Sequence, residues 1–149
     1  MSEKKVSSYL DSGRLGEVLA LIQVLAYDKK TSRSEKGLQN ELKSKPTSDK
    51  SWIQLANNHP EFFRVRIEGG KVDRASLVSR FVLPHTLENG NKIRPQLDPS
   101  IVNKLMEVAI DLHDRQVTRS TRWHIWIPVV VSVIAASAAI TAAIIRVSA

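Results

Sequence analysis

The sequence predicts a mainly α protein with one small β-hairpin: a cytosolic domain, a linker helix and one C-terminal transmembrane helix. Three observations lead there. Apolar residues recur at helical spacing through residues 14–58. A basic alternating stretch on either side of Gly69-Gly70 has strand periodicity. Finally, residues 125–145, "IWIPVVVSVIAASAAITAAII", run for 21 positions without a charged side chain.

The first twelve residues carry charges and hydroxyls but no apolar core, so they read as a tail and not as a signal peptide. From Arg14 to Asp28, Leu15, Val18, Leu19, Ile22, Leu25 and Ala26 fall on one helical face. "DKKTSRSEKG" breaks that helix, and Ser32 with Glu35 suits a capping box for a second one carrying Leu38 and Leu42. After the turn "KSKPT", Thr47 or Ser48 can cap a third helix reaching Asn58. On a helical wheel Lys50, Ser51, Gln54, Asn57 and Asn58 form a wet face opposite Trp52, Ile53, Leu55 and Ala56. His59-Pro60 stops it, because the residue before proline is pushed out of helical geometry.

Phe63, Val65 and Ile67 then alternate with Arg64 and Arg66, Gly69-Gly70 supplies a reversal, and "ASLVSRFVL" reads as the return strand. The hairpin bears Arg64, Arg66, Lys71, Arg74 and Arg80. Three helices followed by such a hairpin resemble a winged helix-turn-helix domain over residues 13–84. The resemblance implies that the third helix, residues 50–58, reads DNA bases, and that the hairpin, residues 64–74, is a wing touching phosphate.

Residues 85–97, "HTLENGNKIRPQL", read as a polar connector. Asp98 followed by Pro99 starts a linker helix over 98–122, with Ile101, Leu105, Val108 and Leu112 as a short seam. That seam suits a coiled coil or packing on the chain's own domain. A transmembrane helix is expected at 123–146, followed by a short tail, 147–149. Twenty-one helical residues extend about 31 Å, matching a hydrocarbon core of about 30 Å. Trp123 and Trp126 stand at its boundary with Arg115, Arg119 and Arg122 outside, which places the N-terminal domain in the cytosol and the C-terminus on the far side. Ala135, Ala139 and Ala143 recur every fourth residue, a spacing that lets helices pack closely on a copy or a partner.

The chain has 149 residues, no cysteine and four scattered histidines, so disulfides and thiolate metal sites are excluded and no cofactor is expected. No phosphate loop, nucleophile elbow or His-Glu metal helix occurs, and His59 and His113 read as surface or capping residues. Neither catalysis nor a small-molecule substrate is expected. The net charge of +7 suits phosphate or anionic lipid. Two binding functions fit. In the first, the domain is a protein-interaction or assembly module anchored in the lipid bilayer. The alternative is a membrane-tethered DNA-binding regulator, with Lys50, Gln54, Asn57 and Asn58 toward bases and Arg64, Arg66, Lys71 and Arg74 toward phosphate.

Overall fold

The computed structural model describes residues 9–67, 73–88 and 90–148; the side chain of residue 91 and most side chains from residue 120 onward lie outside the described set. The chain divides into two units, Met1–His113 and Asp114–Ala149. In the first, the helices α1 (Arg14–Tyr27), α2 (Glu35–Leu42) and α3 (Trp52–Asn58) combine with the strands β1 (Ser32–Ser34), β2 (Phe63–Arg66) and β3 (Arg74–Leu77). A short α4 (Val78–Phe81) and the strands β4 (Thr86–Glu88) and β5 (Asn91–Ile93) follow, and α5 (Pro99–Ser148) begins. The fold is therefore a mixture of helix and sheet, which corrects the expectation of a mainly α domain with one hairpin.

α1 forms where its apolar spacing requires, burying Val18, Leu21, Ile22, Leu25 and Ala26. Against it pack Leu38 of α2, Trp52, Leu55 and Ala56 of α3, and Phe63, Ala75 and Leu77 of the sheet. The Trp52 indole N–H donates to the Ser44 carbonyl at 2.9 Å, which lets this large ring enter the core with its polar atom satisfied. At the other end of the unit Leu97, Val102 and Ala109 close the core.

The sheet is antiparallel, in the order β1-β3-β2. β1 is Ser-Arg-Ser and pairs with β3 through Ser32↔Ser76, Arg33↔Ala75 and Ser34↔Arg74, so Ser32, expected to cap α2, lies two residues before the cap. α2 is capped by Ser34, whose hydroxyl accepts from the Gly37 amide. β2 pairs with the same strand through Phe63↔Leu77, Arg64↔Ser76, Val65↔Ala75 and Arg66↔Arg74. Opposite residues share a face and neighbours alternate. Phe63, Leu77, Val65 and Ala75 therefore face the core, while Arg64, Ser76, Ser32, Arg66, Arg74 and Ser34 lie on the outer face.

The expected return strand stops at Leu77, and the chain turns at once into α4. The expected connector contains the β4–β5 hairpin, in register Thr86↔Ile93 and Glu88↔Asn91, with Gly90 at φ 76°, a backbone conformation open to glycine. With the additional strand, α4 and a second hairpin, the winged helix-turn-helix layout is only a loose fit to this architecture.

α5 begins as expected, with the Ser100 amide and hydroxyl donating to the Asp98 carboxylate at 2.8 and 2.6 Å. Its inner side in this unit is Val102, Leu105, Met106, Ala109 and Leu112, whereas Ile101 and Val108 of the expected seam are exposed. Of the seam, Leu105 and Leu112 thus pack on the chain's own core.

Among the described residues no helix is long and apolar enough to cross a membrane. The single-pass anchor, and with it the assignment of a cytosolic domain and a far-side C-terminus, is corrected accordingly. Length alone does not make a span. The described part of α5 carries Lys104, Glu107, Asp111, Asp114, Arg115 and Arg119, and beyond residue 120 its described side chains are only Pro128, Val130, Val131, Ser132, Ile134 and Ala135. Of the expected interface residues, Arg115 and Arg119 are exposed beside Asp114 and Thr118. The side chains of Arg122, Trp123 and Trp126 lie outside the described set. Ala135 is exposed, and the side chains of Ala139 and Ala143 are outside that set.

Candidate functional site

The outer face of the sheet brings several cationic side chains together. Two cross-strand rows supply it: Arg64, Ser76 and Ser32 form one, and Arg66, Arg74 and Ser34 the next. Thr31, Ser32, Arg64, Arg66, Arg74, Ser76, Phe81 and Arg94 line a recess of about 140 Å³. Among the described residues that lining holds four guanidiniums and three hydroxyls and no carboxylate.

Three of these arginines are held by contacts with the sheet and with Phe81. Arg74 donates through Nε to the Ser32 hydroxyl at 3.1 Å and through Nη2 to the Ser32 carbonyl at 3.0 Å, so β1 fixes it along the sheet. The Arg64 guanidinium lies over the Phe81 ring at 4.4 Å from its centroid, and the Arg94 guanidinium at 4.1 Å. The negative ring face attracts both cations and draws two like charges to one place. Arg94 is further tied by its Nε to the Leu83 carbonyl at 3.1 Å.

Arg80 lies underneath this arrangement. Sequence reading places it on the basic surface of the hairpin, but it sits in α4 and is only 1% exposed. Its guanidinium donates to the carbonyls of Leu25, Arg94 and Pro95 at 3.0 Å each, and to that of Lys30 at 3.4 Å. Burial holds its pKa below the ordinary arginine value, against the pull of the Asp28 charge. Arg80 is thus a brace that fastens the backbone at residues 94–95 to the end of α1, and so places Arg94 at the recess.

The third helix has a different character. Lys50, Gln54 and Asn57 are exposed and Asn58 is half-buried. α3 is capped by Ser51, not by Thr47 or Ser48, so Lys50 precedes the helix. Ser48 instead meets Glu17, whose carboxylate takes its amide and its hydroxyl. The Asn58 amide donates to Asp49 at 2.6 Å, and Gln54 donates to Asn58 at 3.3 Å. Asp49 in turn takes the buried Arg14 guanidinium at 2.8 Å. At the start of α3 the Glu35 carboxylate accepts from the backbone amides of Trp52 and Ile53 at 3.2 and 2.9 Å. The helix end that would approach a phosphate is already occupied by an internal carboxylate. Lys71 lies outside the described residues.

His59, expected as a surface or capping residue, is the C-cap of α3 and is fully buried against Tyr9, with ring centroids 4.6 Å apart. Its Nδ1 is 3.0 Å from the Glu61 carboxylate, which also accepts from the Tyr9 hydroxyl at 2.7 Å. Burial and the Glu61 carboxylate raise the Tyr9 phenol pKa. His113 Nδ1 approaches the Tyr9 carbonyl at 3.0 Å. These contacts tie the segment before α1 to α5 and to the turn after α3.

Arg64, Arg66 and Arg74, singled out in the sequence, are therefore brought together, and Thr31, Ser32, Ser76, Phe81 and Arg94 join them. The chain matches no protein-family model, no curated protein and no solved structure.

Proposed function

We propose that this protein is a nucleic-acid-binding module that grips the phosphate backbone with the outer face of its three-stranded sheet. One observation supports the reading above all others: four arginines and three hydroxyls line one recess, with no carboxylate among the described residues of its lining. Guanidinium groups match phosphate oxygens with paired, charge-assisted hydrogen bonds, and hydroxyls accept or donate as the fit requires. The net charge of +7 supplies long-range attraction of the same sign.

In this reading the wing role of Arg64, Arg66 and Arg74 extends to Arg94, and base reading by α3 is dropped. Contacts to phosphate position a strand without reading its sequence. Binding is therefore expected to be steeply salt-dependent and only weakly sequence-dependent.

The test is a titration of the full chain with random-sequence duplex DNA, followed by fluorescence anisotropy at several salt concentrations. Arg64→Ala combined with Arg66→Ala should weaken binding to every sequence and reduce the salt slope by about two, since each phosphate contact contributes about 0.9 to that slope. A folded chain that binds no DNA at low salt would return the protein to the protein-interaction reading.

A further inference from the structure

We infer that the recess bounded by Arg64, Arg74, Arg94, Ser76 and Phe81 seats the terminal phosphate monoester of a nucleic-acid strand. The inference rests on the phosphate-gripping face proposed above and names the part of a strand that this subsite takes.

Shape is the first argument. The recess is about 140 Å³ and is walled by β1 and β3 residues on one side and by Phe81 and Arg94 on another. A phosphate inside a strand continues in two directions and needs an open channel, whereas a strand end enters with its phosphate foremost. Charge is the second. An internal phosphodiester carries one negative charge, while a monoester carries about −1.5 to −2 and presents three strong acceptor oxygens. Four guanidiniums facing one recess match the monoester better than the diester.

Preorganisation is the third. Arg74 is fixed by Ser32, Arg64 and Arg94 are held over Phe81, and the Arg94 backbone is held by Arg80. Among the described residues the Arg64 guanidinium makes no hydrogen bond, so its N–H groups remain for a ligand. Donors set in place before binding lose little freedom when the anion arrives.

The experiment compares single-stranded oligonucleotides of one sequence, ending in a 5′-phosphate, a 3′-phosphate or hydroxyls only, titrated into the full chain at one salt concentration. One of the phosphate-ended strands should bind about tenfold tighter than the hydroxyl-ended strand, the gain of one well-placed charge-assisted contact. Millimolar inorganic phosphate should remove that difference. Arg94→Gln should abolish the difference between the strands as well, on top of the uniform weakening of all three that the loss of one backbone contact brings. If Arg94→Gln does not fold, Arg64→Gln, at an exposed position, carries the same expectation. Equal affinity for all three strands overturns the terminal seat and leaves the backbone-binding reading in place. A folded chain that binds none of them overturns both, and tighter binding of a phosphoserine peptide overturns the nucleic-acid source of the phosphate.

Discussion

The exposed side of α3 and the outer face of the sheet are both polar surfaces of one small unit, yet their polar groups point to different partners. On α3 the amides close on the protein itself: Gln54 donates to Asn58, Asn58 to Asp49, and Asp49 receives Arg14. On the sheet, the guanidiniums of Arg64, Arg66, Arg74 and Arg94 line a common recess. Residue type alone does not make a binding surface. What matters is whether the side chains converge on a shared recess, as the arginines do, or close on one another and on an acidic partner within the fold, as Gln54 and Asn58 do.

The largest effects should come from the two buried arginines beneath these surfaces, and they should separate them. Arg80→Met removes the donor to the carbonyls of Leu25, Lys30, Arg94 and Pro95, and should cost about 3 kcal/mol of stability in urea unfolding. Arg14→Met takes from Asp49 its cationic partner and should cost a similar amount, about 3 kcal/mol. Only Arg80→Met should also weaken nucleic-acid binding by the folded protein, because only it loosens Arg94. Equal binding losses in the two variants would erase the distinction between the surfaces.

Acid should act next, and chiefly on the α3 side. Glu17 takes Thr47 and Ser48, and Glu61 takes His59 and Tyr9. Burial pushes both carboxyls up, but these hydrogen bonds prevail and hold them below the usual range. A carboxyl with a folded-state pKa below its unfolded value stabilises fully above about pH 4.3, and that stabilisation is lost as pH falls through the folded value. Asp28, held low by Arg33 against its burial, adds to the same slope from the end of α1. The urea midpoint should therefore fall as pH drops below about 5, and Glu17→Gln should make that fall shallower. An unchanged slope in the variant would remove Glu17 from this role.

Much of this was legible in the sequence where one element carries its own signal. The apolar stripe of α1 marks its helix, and alternation marks Arg64 and Arg66 as outward partners of Phe63 and Val65. What escaped depends on distant partners. Ser48 looks like a cap, but Glu17 takes its amide and moves the start of α3 to Ser51. β1 contains no apolar residue and exists because β3 offers it an edge. Arg80 reads as surface charge, and only the fold brings carbonyls from separate segments around it. The β4–β5 hairpin did have a local signal, the Asn89-Gly90 dipeptide, masked by how few apolar residues flank it. Arg94 went unnoticed for the same reason.

A smaller effect sharpens the comparison at the start of α3. Glu35→Gln should cost about 1 kcal/mol, since the carboxylate accepts from the amides of Trp52 and Ile53 at a helix N-terminus. It should leave nucleic-acid affinity within about twofold, because this carboxylate is committed to the α3 amides and its charge is screened by salt. A several-fold gain on losing this negative charge would mean that phosphate lies at the start of α3.

The smallest expected effect is the most discriminating. Asn57 is exposed on α3, and no hydrogen bond ties its side chain among the described residues, so of the amides there it is the one best placed to meet a base. Asn57→Ala should change stability by less than about 0.5 kcal/mol, the usual size for an exposed substitution. If the sheet holds phosphate and α3 stands aside, sequence preference in a pool of duplexes should be the same for variant and parent. A paired amide contact to adenine discriminates by about 1–3 kcal/mol, so its loss would be conspicuous in such a pool. A shifted preference would put α3 against the bases, and the arginine face would then serve as the support for a reading helix instead of the principal contact.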